Sequence, residues 1–170
     1  MPEIVLGLNA YHADSSAAIF VDGTLLVATE EERFRRIKHW AGFPSKAIQF
    51  CLHEANCTLR DVTAITIGRD AQAKKWNKAA FVAKHPRVAA ALWNQRSANK
   101  DDITLLHERF KEVEPDVDVN MVKAKIQFIE HHRSHLASAF YPSPYEEAAI
   151  LSIDGSGDFT TTMLGRGKGK

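Results

Sequence analysis

The stretch EIVLGLNAYHADSSAAIFVDGTLLVATEEERF, residues Glu3 to Phe34, decides how the chain begins to fold. Glu3 to Asn9 is a short apolar strand closed by a polar residue. SAAIFV and TLLVATE then flank Asp22-Gly23. That dipeptide supplies the positive φ angles of a type I′ turn, so the two runs read as a β-hairpin.

Further along, PSKAIQFCLHEANC has Pro44 at a helix start and Ala47, Ile48, Cys51, Leu52 and Ala55 on one face. DVTAITIG reads as a buried strand. A long helical stretch is expected from about Ala71 to Arg96, with Trp76, Phe81 and Trp93 as buried anchors. The polar break SANKDD precedes a shorter helix ending near Pro115. AKIQFIEHH is expected to be a strand and RSHLASAFY a helix stopped by Pro142. AAILSID, the turn GSGD and FTTTMLGRG form a last strand pair, and the GRGKGK end looks like an edge strand running out. Strands alternating with helices behind a leading hairpin imply an α/β fold with a mixed sheet. The hairpin beginning near Glu147 repeats the pattern of the opening one. The reading is a first lobe at residues 1–145 and, at 146–170, the opening hairpin of a second, truncated lobe.

Composition narrows the function classes. The chain of 170 residues is 45% hydrophobic and 25% charged with a net charge of +1, so it has a globular composition and no global pull toward nucleic acid or membrane. The basic run Arg69, Lys74, Lys75, Lys78, Lys84, Arg87, Arg96 and Lys100 reads as a solvated helix face before a nucleic-acid patch. Cys51 and Cys57 lie on different faces of one helix and read as reduced thiols. No apolar run reaches the roughly 18 residues of a membrane span, and no secretion signal precedes the first strand. The expected location is cytoplasmic.

Four motifs carry chemistry. His131 and His135 are four apart, so on a helix two imidazoles can face one divalent cation, although a bare H-x-x-x-H also arises by chance. His132 would point elsewhere, as a packing or supporting group. The turn Asp154-Gly155-Ser156-Gly157-Asp158 offers small residues, backbone N–H groups and two carboxylates to an anion or a cation-bridged phosphate, or is a plain hairpin turn. Asn9 with Asp14, Ser15 and Ser16 forms a similar strand-turn-strand, for which an Asx-turn is the ordinary alternative. TEEERFRRIKHW is a solvated charged segment, or brings cations to the same crevice.

Together, GLNAYHADSSAAIFVDG, ATEEERFRRIKHWAGFPSKAIQFCL, HHRSHLASAFYPSP and SIDGSGD resemble the N-terminal part of the O-carbamoyltransferases of antibiotic and nodulation-factor pathways. The resemblance implies an RNase-H-like lobe of the actin/sugar-kinase-like ATPase fold. It implies a divalent metal, Fe2+ by preference, on His131 and His135, with a third ligand from elsewhere. Asn9, Asp14, Ser15, Ser16, Lys38 and the turn 154–158 would face the nucleotide or carbamoyl intermediate. His12 and Lys38 would assist proton transfer or stabilise charge. Carbamoyl phosphate and ATP would give carbamoyl-adenylate in a separate C-terminal domain, and the carbamoyl group would pass to a small-molecule hydroxyl. Residues 1–170 alone are then not expected to catalyse transfer, and a homodimer fits apolar surface left by the absent domains. An actin-like phosphotransferase and a non-enzymatic nucleotide- or metal-binding module are the rival functions.

Overall fold

A computed structural model describes residues 1–70, 72–85 and 105–169. Its elements are β1 (Ile4–Asn9), β2 (Ser16–Val21), β3 (Thr24–Glu30), α1 (Glu32–Arg35), α2 (Ser45–Glu54), β4 (Ala64–Ile67) and α3 (Lys75–Lys84). A 3-10 helix (Leu106–Glu112) follows, then α4 (Val119–Lys125), β5 (Ile126–Phe128), α5 (His131–Phe140), β6 (Glu147–Gly157) and β7 (Thr160–Lys168).

The first five strands form one mixed sheet in the order β3-β2-β1-β4-β5. β1, β2 and β3 are antiparallel neighbours, whereas β4 runs parallel to β1 and β5 parallel to β4. The leading hairpin turns at Asp22 and Gly23, both at positive φ (48° and 76°), as a type I′ turn requires. Period-two alternation sends Ile4, Leu6 and Leu8 of β1, Ala17 and Ile19 of β2, and Ile65 and Ile67 of β4 into one core. Ala47, Ile48, Cys51 and Leu52 of α2 meet them, joined by Leu106 and Phe110 of the 3-10 helix and Val122 of α4. Phe43 and Phe110 pack edge to face with ring centroids 5.2 Å apart. Burial pushes the Cys51 thiol up to about 11, and both cysteines are free thiols.

β6 and β7 form a separate two-stranded antiparallel sheet, and α5 packs on one of its faces. Glycine makes that approach close. A Cβ at Gly165 would meet Leu136, and one at Gly167 would run into the Phe140 ring. The glycines of the basic C-terminal stretch therefore form a groove for the helix face His132–Leu136–Phe140. On the other face Leu151, Ile153 and Leu164 are exposed.

Several local expectations change. The AKIQFIEHH segment is mostly not strand: α4 runs to Lys125, β5 keeps three residues, and the histidines already belong to α5. Asp118 explains the earlier helix, because its side chain accepts from the backbone N–H groups of Asn120 and Met121 as an N-cap. The helix near Pro115 is a 3-10 helix. Trp76 is 87% exposed instead of buried, while Phe81 is half-buried against Phe159 and His85. Ala71, Arg87, Trp93, Arg96 and Lys100 lie outside the described residues. Among the described residues no helix is long and apolar enough to cross a membrane.

The charged run is not uniformly solvated either. Glu31 is fully buried. Its carboxylate accepts from Arg35 Nε at 2.7 Å and from the backbone N–H groups of Lys46 (3.3 Å) and Ala47 (2.7 Å). It thus closes the N-terminus of α2, whose orphan N–H groups need an acceptor. Arg35 also donates to Ser45 and lies over the Trp40 ring at 4.4 Å.

Candidate metal centre

The site begins where β5 ends and α5 starts. Glu130 caps the helix by accepting from the Arg133 N–H at 2.8 Å. A second carboxylate, Asp158 Oδ2, accepts from the His131 N–H at 2.9 Å and from the Asp70 N–H at 2.7 Å. Two acids at the positive end of a helix suit its dipole.

Two neighbouring ridges of α5 then separate the histidines by role. His132 faces the β6–β7 sheet and is fully buried. Its ring nitrogens lie 2.8 Å from Ser152 Oγ and 3.0 Å from the Thr160 carbonyl oxygen. His131 and His135, one helical turn apart, bring their Nε2 atoms to 3.0 Å. Asp154 Oδ2 stands 2.7 Å from His131 Nε2 and 3.6 Å from His135 Nε2. The three donors all lie within 4.8 Å of one another.

This arrangement concentrates electron pairs. His131 Nδ1 lies 3.3 Å from the Gly68 carbonyl oxygen, which can only accept. An Nδ1–H donating there leaves Nε2 of a neutral ring as a lone pair aimed at a carboxylate and a second imidazole. Such a cluster needs a positive centre, either protons or a cation. The edges of 2.7, 3.0 and 3.6 Å bracket the roughly 3.0–3.4 Å spacing between ligands set by metal–nitrogen bonds of about 2.1 Å. Two imidazoles and one carboxylate on one side of a cation leave its other positions open, a donor set suited to Fe(II) or Zn. The residues therefore fit a divalent metal. With a proton on His131 Nε2 in place of a cation, the hydrogen bond from His131 and the Gly155 N–H hold the Asp154 carboxyl below its usual range.

The turn itself differs from expectation. β6 continues through Gly157, with a bulge between Ile153 and Gly157, and the turn residues are Asp158 and Phe159. The DGSG segment is thus irregular strand, and period-two alternation from Ser152, which meets His132, puts Asp154 on the face toward the histidines. The residues alone read as a turn for an anion or a cation-bridged phosphate, or as a plain hairpin turn, and the resemblance assigned that turn to the nucleotide or carbamoyl intermediate. The signal toward a cation was the pair of aspartates placed right after a strand. The side chain of Ser156 lies outside the described part of the chain.

Asn9, Asp14 and Ser15 form a second cluster. The Asn9 amide donates to the carbonyls of Ala13 (3.2 Å) and Asp14 (3.1 Å). Ser15 is buried, and its hydroxyl bonds the carbonyls of His12 and Gly42. Asp14 Oδ1 lies 2.8 Å from His39 Nδ1, an ion pair that raises the His39 pKa. Tyr11 and Asp14 of this loop, and His39 of the segment between α1 and α2, take positive φ, so both turns hold a tight backbone. Ser16 pairs with Asn9 in the sheet, while His12 and Lys38 are exposed on the two adjoining loops. Because Leu8 pairs with Ile67 in parallel register, Asn9 and Gly68 leave the sheet side by side. Both clusters therefore border the C-terminal ends of adjacent parallel strands, where open α/β sheets take their ligands.

The Carbamoyltransferase N-terminus family matches residues 4–170. The chain is 37% identical over 168 residues to an uncharacterized protein of Synechocystis, covering 97% of this chain and 27% of that protein. It is 33% identical over 162 residues to nodulation protein NolNO of Sinorhizobium fredii, covering 95% of this chain and 22% of NolNO. An uncharacterized protein of Methanocaldococcus jannaschii is 26% identical over 155 residues, covering 91% of this chain and 23% of its own length. The chain spans about a quarter of the length of these relatives.

Proposed function

Because the chain belongs to the carbamoyltransferase N-terminal family, we propose that it is the metal-holding lobe of an O-carbamoyltransferase. In this reading carbamoyl phosphate is hydrolysed to carbamate and phosphate, and carbamate with ATP yields carbamoyl-adenylate and pyrophosphate, in a separate C-terminal domain. The carbamoyl group then passes to the hydroxyl of a small molecule at this lobe, with AMP as the leaving group. The observation that carries the reading is the convergence of His131, His135 and Asp154 at a strand end.

His131, His135 and Asp154 would hold one divalent metal, Fe2+ by preference. When bound, it supplies Lewis acidity toward a carbonyl or phosphate oxygen. The chain's own residues do the rest. Asp154 brings a fixed negative charge that balances the cation. His132 locks α5 to β6 and β7 and so fixes the pitch at which its two neighbours are presented. Asn9 and Ser15 shape the first loop, and with Asp14 and Ser16 they border the space for the nucleotide or carbamoyl intermediate. Lys38 stabilises charge that develops there, and His12 takes the proton of the attacking hydroxyl.

The mixed sheet with its leading hairpin and parallel β4 and β5 supports an RNase-H-like lobe of the actin-like ATPase architecture. Residues 1–145 would then be the first lobe and 146–170 the opening hairpin of the second.

The test uses this chain joined to the further segments present in its relatives. Carbamoyl phosphate and ATP should release pyrophosphate, and an alcohol acceptor should gain a carbamoyl group. His131→Ala should abolish transfer while pyrophosphate release persists. Unchanged transfer would refute the metal role, and a phosphorylated acceptor with ADP would mark a phosphotransferase instead.

A further inference from the structure

Resting on the reading of His131, His135 and Asp154 as metal ligands, we propose that Asp158 is a positioning residue for that site, a carboxylate clamp that fixes the His131 ring from two sides.

One oxygen, Asp158 Oδ2, accepts two backbone N–H groups from separate elements. The first is that of His131, in the first turn of α5. The second is that of Asp70, in the segment leaving β4. That segment also carries the Gly68 carbonyl, which faces His131 Nδ1 at 3.3 Å. The same carboxylate therefore holds the backbone from which the imidazole hangs and the strand end whose carbonyl sets its tautomer. Partners of this kind govern metal affinity by fixing ligand orientation.

The backbone under Asp158 points the same way. Asp158 and Phe159 both take positive φ, 47° and 67°. A two-residue hairpin turn of this geometry is met most cheaply by Asn-Gly, and a bulky residue at positive φ is a genuine outlier. Phe159 is kept there by its edge-to-face contact with Phe81, ring centroids 5.4 Å apart. The turn thus tolerates strain while its first residue spends its carboxylate on holding two other elements. Strain of this sort persists where surrounding structure over-determines it, and it clusters at functional sites.

The experiment titrates the chain with cobalt(II) and follows its d–d absorption. Wild type should take up one cobalt per chain. D158G keeps the freedom for positive φ and removes only the carboxylate, so it should fold, by circular dichroism, yet bind cobalt about tenfold or more weakly, with a shifted d–d band. D158N retains an acceptor oxygen and should stay within about threefold of wild type, with an unshifted band. F159G relaxes the turn but keeps the clamp, and it should bind as wild type does. Amide hydrogen exchange on wild type adds a readout independent of variant folding: the N–H groups of Asp70 and His131 should be protected together. Cobalt affinity of D158G within about twofold of wild type, D158N as impaired as D158G, or rapid exchange at either amide would overturn the clamp. Failure of wild type to bind cobalt at all would instead overturn the metal reading beneath it.

Discussion

Gly157 lies flat against the imidazole of His131: a Cβ built on residue 157 would overlap the ring at Cδ2 and Cγ. Its φ is not in the left-handed region, in contrast to Gly23 and Gly169. The absence of a side chain is therefore required by the ring and not by the backbone. Gly155, two residues earlier, has nothing within 4 Å of the equivalent point.

This contrast predicts different fates for two like substitutions. G157A should displace His131 and weaken divalent-metal binding at least about tenfold, whereas G155A should change it less than about twofold. Competition with a chromophoric chelator measures both. Equal sensitivity at the two positions would favour a backbone loop that cradles an anion over a strand that makes room for a ligand ring.

Asp154 and His135 should behave as ligands and not as parts of the fold. D154N and H135A should each lower metal affinity by about two orders of magnitude or more, while leaving the urea midpoint of the metal-free chain within about 0.5 kcal/mol of wild type, as for other substitutions at open positions. Isothermal titration and urea unfolding give the two numbers. A stability loss without an affinity loss would assign these residues to packing.

Glu31 should show the reverse profile. E31A strands Arg35 and leaves the Lys46 and Ala47 N–H groups without their acceptor. Breaking a buried pair in this way costs about 3 kcal/mol or more, and E31Q, which keeps an acceptor oxygen, costs less. Urea unfolding of the metal-free chain measures the loss. A change below about 0.5 kcal/mol would mean that Glu31 does not organise the start of α2.

The Asp14–His39 pair sets a pH response in the first loop. The hydrogen bond and charge of Asp14 raise the His39 pKa above the ordinary value of 6.5. A group whose pKa is higher folded than unfolded contributes stability that is complete below its unfolded value. That contribution is lost as pH rises through its folded value. The loop tie should thus be complete below 6.5 and weaken as pH rises through the raised His39 value. Proton NMR should show the His39 midpoint falling toward 6.5 in D14N; an unmoved midpoint would mean the pair does not form in solution.

Much of the fold was legible because its signals are local. Asp22-Gly23 dictates its turn, and the apolar positions of α2 are those found buried. The errors came from partners distant in sequence. Glu31 reads as solvated until Lys46 and Ala47 fold back onto it, and Trp76 keeps helical spacing while standing exposed. At the site, the i, i+4 spacing of His131 and His135 was readable because a helix alone makes it. Asp154 was not, because strand β6 runs on through Gly157 where a loop was expected, and so carries Asp154 on the same face as Ser152, toward α5. The glycines of the C-terminal stretch carry no pattern of their own, and only Leu136 and Phe140 lying against them explain two of them.

The most direct test of the central claim is anomalous scattering at the iron edge from crystals of the chain grown anaerobically with Fe(II). The account predicts one peak about 2.1 Å from Nε2 of His131, Nε2 of His135 and a carboxylate oxygen of Asp154. Density that leaves those three side chains bonded only to one another, or iron held by other residues, would contradict it.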